Sequence, residues 1–199
     1  MKEIKISNGN AKMGHIPSVS LPPVITCREG APCARKCYAC KLCRLRQTVR
    51  DAYAQNLAIY REDPAGYFAQ LALRFQLSRF FRMHVSGDIP DVEYLARLCD
   101  AVERVPGCTV LIFSKRYEII NDYIKTRGPL PANLRMILSN WGGWRCENPY
   151  GLPVSEVIFR GEAPRDGWRL CSGNCEECAL EGRGCWTLQP GETVAFFEH

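Results

Sequence analysis

The stretch DVEYLARLCDAVERVPGCTVLIFSKRYEIINDYIKT, residues 91–126, combines a helix pattern, a strand pattern and a second helix pattern. Apolar residues at positions 92, 95, 98, 99 and 102 have helical spacing and predict an amphipathic helix over residues 91–104. The continuous apolar run over residues 108–114 predicts a buried strand, and residues 117–126 are predicted to form a helix. A buried strand between two helices is typical of a parallel α/β sheet.

The same alternation extends over most of the chain and predicts an α/β fold. Further strands are predicted over residues 82–87, 134–140, 154–160 and 193–198, a short first strand within residues 16–26, and helices over residues 41–60 and 63–80. A complete eightfold barrel takes about 250 residues, so six strands in 199 residues predict an open, partial barrel with a mainly parallel sheet. We expect residues 1–160 to form this core, and residues 161–199 to form a cysteine-rich segment with the final strand.

Twelve cysteines are present in 199 residues, a high number for a chain with no apolar signal peptide at its start. No apolar run approaches the roughly 18 residues that a membrane-spanning helix needs. We therefore expect a cytoplasmic protein that does not enter membranes, and we expect a monomer. In the cytosol thiols stay reduced, so clustered cysteines there more often bind metal than form disulfides. The net charge of +5 is a modest hint of an acidic partner such as nucleic acid.

The N-terminal cysteine cluster has the spacing of an iron–sulfur loop. Cys33, Cys37 and Cys40 are separated by three and then two residues, which allows three thiolates to reach three different irons of a [4Fe–4S] cluster. The fourth iron would then have no protein ligand and could bind a small molecule, as an open coordination position does at catalytic zinc sites.

This Cys-x3-Cys-aromatic-x-Cys motif, with Tyr38 as the aromatic residue, resembles the signature of the radical S-adenosylmethionine (SAM) superfamily. The resemblance implies a partial (β/α)6 barrel and a cofactor pair of a [4Fe–4S] cluster and SAM, with SAM cleaved reductively to start radical chemistry. It also implies an electron donor such as flavodoxin or ferredoxin. The implied SAM-binding residues lie in the motif and at strand ends: Tyr38, Ser86, Gly87, Asp88, Ser114, Lys115, Ser139 and Asn140. For Ser86–Asp88 a simple turn is an equally good interpretation.

A second resemblance covers most of the chain. The segments at residues 9–14, 16–18, 21–23, 37–39 and 84–88, with the terminal cysteines, resemble the uncharacterised phage family called gene product 88. Many members of that family lack a cysteine at the position of Cys40 but keep those that match Cys27, Cys33 and Cys37. Two ligand sets therefore stay open, Cys33/Cys37/Cys40, which the intact motif favours, and Cys27/Cys33/Cys37.

The C-terminal cysteines repeat the same spacing and add a fourth thiol: Cys171, Cys175, Cys178 and Cys185. Four thiolates can saturate a [4Fe–4S] cluster, which predicts a closed auxiliary cluster. A zinc ion with four cysteine ligands is the alternative at this site.

These observations lead to two hypotheses of function. The first is a small radical SAM-type enzyme with an unidentified substrate. The second is a non-catalytic protein in which iron–sulfur or zinc sites serve only structure, and which binds nucleic acid through its arginines.

Overall fold

The predicted alternation builds one open sheet of eight strands in a computed structural model, which describes residues 2–198. The strands are β1 (Ile6–Ser7), β2 (Ser18–Val19), β3 (Phe80–Met83), β4 (Thr109–Ser114), β5 (Leu134–Ser139), β6 (Val154–Ile158), β7 (Arg169–Leu170) and β8 (Thr193–Phe197). Their order in the sheet is β1-β2-β3-β4-β5-β6-β8-β7, and every neighbouring pair is parallel except β1 with β2. The prediction of an α/β fold with a mainly parallel sheet is confirmed.

The main helices connect successive parallel strands, and four of the five pack on one face of the sheet. They are α1 (Tyr38–Leu45), α2 (Gln47–Glu62), α3 (Pro64–Gln76), α4 (Val92–Glu103) and α5 (Tyr117–Arg127). One apolar core joins α2 to α5 with alternate residues of the strands, such as Phe81, Val110 and Met136. The remaining strand residues, such as Leu111 and Ile137, therefore face the opposite side of the sheet.

The opposite face is covered by the C-terminal part of the chain. Leu111, Ile137 and Val194 contact Trp186, Leu188 and the four C-terminal cysteines in a second apolar cluster. A short helix, α6 (Cys175–Leu180), lies in this segment. The sheet thus lies between the helices and this second cluster, to which Met13 and Ile16 also belong, and β8 joins the same sheet as the strands of the core. No helix among residues 2–198 has the length and apolar character required to cross a bilayer.

Several boundaries differ from the prediction for local reasons. The helix expected over residues 41–60 is divided at Arg46, which is extended with φ −131° and ψ 101°. The strand expected over residues 82–87 ends at Met83, because His84 has φ +52° and the chain turns there. By contrast, the start of α3 is as expected, since the Asp63 side chain accepts a hydrogen bond from the Gly66 amide (2.8 Å) and Pro64 is the first helical residue.

Candidate functional site

The N-terminal cysteine loop lies against the carboxyl end of the parallel sheet. Ser86 accepts from the Leu21 amide through its carbonyl (3.0 Å) and donates from Oγ to the Leu21 carbonyl (3.1 Å). The Asp88 amide donates to Thr26 Oγ1 (3.0 Å), one residue before Cys27. Gly87 is required between them, because it has φ +76° and a Cβ there would lie 2.6 Å from Thr26 Oγ1. The turn after β3 therefore fixes the start of the cysteine loop.

Three thiols of this loop affect one another electrostatically. The pKa of Cys27 is raised to about 11, mainly by burial and further by Asp88, Cys33 and Cys37. Burial also raises the pKa of Cys33, with Cys37 acting in the same direction. Cys40, in contrast, lies within hydrogen-bonding reach of Cys37, and its other main electrostatic neighbours are Arg44 and Cys43. Cys37 is therefore a neighbour of Cys27, Cys33 and Cys40 alike.

A cavity of about 320 Å³ adjoins this loop on the face of the sheet opposite the helices. Cys33, Cys37 and Tyr38 line it from the loop, and Lys115 and Ser139 line it from the ends of β4 and β5. The ammonium group of Lys115 donates to Ser139 Oγ (2.8 Å). Three of the predicted SAM-binding residues thus lie together at one cavity.

The other five predicted SAM-binding residues do not line this cavity. Ser86 and Gly87 hold the cysteine loop, as described above. Asp88 is buried and accepts hydrogen bonds from Ser114 Oγ (2.6 Å) and the Lys115 amide (2.8 Å). Asn140 donates to Glu156 Oε1 (2.8 Å) and accepts from the Cys146 amide (2.7 Å). In the structure these residues connect strand ends to one another, and a role in binding SAM remains a prediction for them.

The four C-terminal cysteines gather on the apolar cluster around Trp186. Cys178 is buried, and its sulfur lies 3.3 Å from an Arg183 nitrogen and 3.1 Å from Ser172 Oγ. The pKa of Cys185 is raised to about 12, mainly by burial; Arg82 opposes this shift, and Cys171, Cys175 and Cys178 contribute to it. The four thiols therefore belong to one apolar cluster.

No disulfide forms among the twelve cysteines, which are all free. Within residues 2–198, no three side chains of His, Cys, Asp or Glu converge on a point where one metal ion would bind. Ligands of a single zinc ion each lie about 2.3 Å from the metal. The thiolate ligands of a four-iron cluster each bind a different iron, so they lie farther apart than the ligands of a single zinc ion.

Two polar residues of β3 and its turn, the half-buried Arg82 and the buried His84, were not identified as site residues from the sequence pattern. Arg82 lines the cavity, and the C-terminal thiols of Cys175 and Cys185 are within its electrostatic range. The sequence feature that could have identified Arg82 is an arginine between apolar neighbours in a predicted buried strand. His84 is buried on the helical side, with Nε2 2.9 Å from the Tyr94 hydroxyl, and burial and Arg82 lower its pKa to about 3. His84 is therefore a hydrogen-bonded core residue, the more frequent role of a lone strand histidine.

A family model described as Gene product 88 matches residues 2–178 of the chain. The matched part includes the whole N-terminal cysteine loop and ends at Cys178, the third of the C-terminal cysteines. No curated protein and no solved structure matches the chain.

Proposed function

The chain belongs to the phage gene product 88 family, and we propose that it is a small iron–sulfur enzyme that binds SAM and cleaves it reductively. The observation that carries this proposal is the position of a three-thiol loop beside a cavity at the carboxyl ends of parallel strands. In α/β proteins with parallel sheets, ligands bind at this end of the strands. The cavity also has room and polar groups for a small organic cofactor.

The proposed cluster ligands are Cys27, Cys33 and Cys37. Cys27 has both Cys33 and Cys37 among the charges that raise its pKa, whereas those that act on Cys40 are Cys37, Arg44 and Cys43, which supports this set; Cys33/Cys37/Cys40, which the spacing favours, is the alternative. The donor set suits iron, because thiolates are the ligands that iron–sulfur clusters use and no disulfide competes for them. When bound, a [4Fe–4S] cluster with three thiolate ligands supplies the electron for SAM cleavage and one iron that is open to SAM.

The residues that bind SAM in this proposal are those that line the cavity next to the loop. Lys115 is placed to pair with the SAM carboxylate, since an ammonium group binds carboxylates. The Ser139 hydroxyl, which already accepts from Lys115, can bond a ribose or carboxylate oxygen. Tyr38 is held by a hydrogen bond from its hydroxyl to the Val85 carbonyl and presents its ring to the cavity wall. These groups orient SAM and exclude water from one side of it.

The remaining parts of the proposal follow the same interpretation. The seven strands β2 to β8 are parallel, and six of them, β2 to β6 and β8, lie side by side in chain order, which supports a partial (β/α)6 barrel. The C-terminal cysteines would hold an auxiliary [4Fe–4S] cluster, with zinc as the alternative. The enzyme would act in the cytoplasm as a monomer and receive electrons from a flavodoxin or ferredoxin.

The test is anaerobic reconstitution with iron and sulfide, followed by incubation with SAM and dithionite. We expect release of 5′-deoxyadenosine from the wild-type protein and none from Cys33→Ala. Cys146→Ala is the matched control, because Cys146 is half-buried and lies in neither cysteine group. Clusters that form without any SAM cleavage would favour the second function, a metal-stapled binding protein. Zinc without iron in anaerobically purified protein would contradict both iron-based interpretations.

A further inference from the structure

One wall of the cavity carries two cations on a pair of phenylalanine rings. The Arg82 guanidinium lies 4.3 Å from the centre of the Phe113 ring, and the Lys12 ammonium lies 5.3 Å from that of Phe196. The two rings contact each other edge to face, with centres 5.7 Å apart. Both cations are thus fixed on the same wall, and this aromatic support leaves their N–H groups free to bind an anion.

Neither cation forms an ion pair with a carboxylate of residues 2–198. The Nε of Arg82 is buried and has no hydrogen-bond partner in this part of the chain. Lys36, a third cation at the cavity, differs because it pairs with Glu198 Oε1 at 2.7 Å. Arg82 is half-buried and lines the cavity, and a charge that is partly removed from water without a counter-charge costs free energy, so an anionic ligand would complete this wall.

Aromatic side chains accompany the cations around the same cavity. Trp141 and Phe197 line it, and Phe197 has 57% of its surface exposed. Exposed rings beside basic groups suit nucleobases, because every base has a face that stacks on an aromatic side chain. Arginine and lysine bind phosphate through charge-assisted hydrogen bonds.

We infer that Lys12 and Arg82 bind the phosphate of a nucleoside phosphate substrate, with its base against the aromatic side chains of the cavity. Binding of the nucleotide does not depend on the proposed function. Only its reaction after binding rests on the proposed cleavage of SAM. SAM would occupy the part of the cavity beside Cys33, Cys37 and Lys115. The substrate would then lie between the two cysteine groups.

Calorimetric titration of the reconstituted full-length protein tests this inference without any turnover. The probe is UMP, because it lacks the adenine of SAM, and uridine is the matched ligand without phosphate. We expect UMP to bind at least about 10-fold more tightly than uridine, as loss of a charge-assisted contact to phosphate predicts. UMP should also bind in the presence of SAM. A 5′-phosphorylated tetranucleotide is the second probe. It should bind more tightly than UMP if the substrate is the 5′ end of a nucleic acid strand, and no more tightly if the substrate is a free nucleotide.

Three variants locate the site. Arg82→Gln and Lys12→Gln should each weaken UMP binding by about 10-fold or more. Lys125→Gln, which removes the same charge from the exposed surface of α5, should leave binding unchanged. Lys12 is exposed, so its variant tests the inference even if Arg82→Gln does not fold. The inference is overturned if UMP binds no better than uridine, if SAM displaces it, or if Lys12→Gln binds it as the wild type does. Loss of SAM cleavage alone would count against the proposed function and not against this site.

Discussion

Ser114 Oγ donates a 2.6 Å hydrogen bond to Asp88 Oδ1, which connects the last residue of β4 to the turn after β3. The same carboxylate accepts from the amides of Ile89 and Lys115, both at 2.8 Å. Burial raises the pKa of Asp88, whereas these hydrogen bonds lower it. Asp88 thus holds together two strand ends on which the cysteine loop and the cavity depend.

The first prediction is that Asp88→Ala destabilises the fold. It leaves three buried donors without an acceptor and should lower the free energy of unfolding by about 3 kcal/mol. Asp88→Asn keeps one acceptor oxygen and should cost less. Urea unfolding followed by circular dichroism measures both. A negligible change in Asp88→Ala would mean that the residue acts on a ligand and not on the fold.

The second prediction concerns the ligands of the N-terminal cluster. Cys27→Ala should lose roughly half of the reconstituted iron and sulfide, since one of two four-iron clusters would be lost. Cys40→Ala should keep its iron, because Cys40 is not in the proposed ligand set. Iron and sulfide analysis measures both. The reverse result would restore Cys33/Cys37/Cys40 as the ligand set.

The third prediction is a loss of stability in mild acid that depends on His84. Burial lowers its pKa to about 3 in the folded protein, whereas an unfolded histidine has a pKa near 6.5. Between these values the unfolded state binds a proton that the folded state does not, so stability falls as the pH falls below about 6.5. From pH 7 to pH 5 the residue should account for about 2 kcal/mol of lost stability.

The matched variant for this measurement is His84→Asn. Asparagine tolerates the positive φ of this position and does not titrate. Urea unfolding at pH 7 and pH 5 should show a smaller loss for the variant than for the wild type. Equal losses would show that His84 is protonated in the fold or that other groups dominate the acid response.

The fourth prediction concerns metal removal from the C-terminal segment. Cys175 and Cys185 have pKa values raised by burial, so without metal these thiols are uncharged and hold the segment only by packing. Chelation under reducing conditions should therefore accelerate amide hydrogen exchange in residues 171–186. Exchange in β4 should stay slow, since its amides belong to the centre of the sheet. Equal exchange of the segment with and without metal would mean that no metal stabilises it.

The sequence predicted the central strands and helices well because their signals are local and repeated. The apolar run of β4 and the Asp63–Pro64 start of α3 are examples, and both are close to the observed boundaries. The two-residue strands β1 and β7 could not be predicted, since they are too short to show alternation. Helix α6 was hidden in the cysteine spacing, although Asn174 caps it by accepting from the Glu177 amide (3.1 Å).

The site was less predictable because it depends on contacts between distant residues. Spacing favours Cys33, Cys37 and Cys40 as the ligand set, which stays a prediction, whereas the fold of the loop also brings Cys27 into the electrostatic range of Cys33 and Cys37. Lys115 and Ser139 were identified as strand ends, and parallel pairing of β4 with β5 explains why they meet. To predict Arg82 as a site residue, one must know which face of β3 lies towards the C-terminal segment. Periodicity alone does not give this information.

Electron paramagnetic resonance of the reconstituted, dithionite-reduced protein, recorded with and without SAM, tests the central claim most directly. An open iron beside Lys115 and Ser139 predicts an iron–sulfur signal whose shape changes when SAM is added. An iron–sulfur signal that is identical with and without SAM, or no such signal, would contradict the claim.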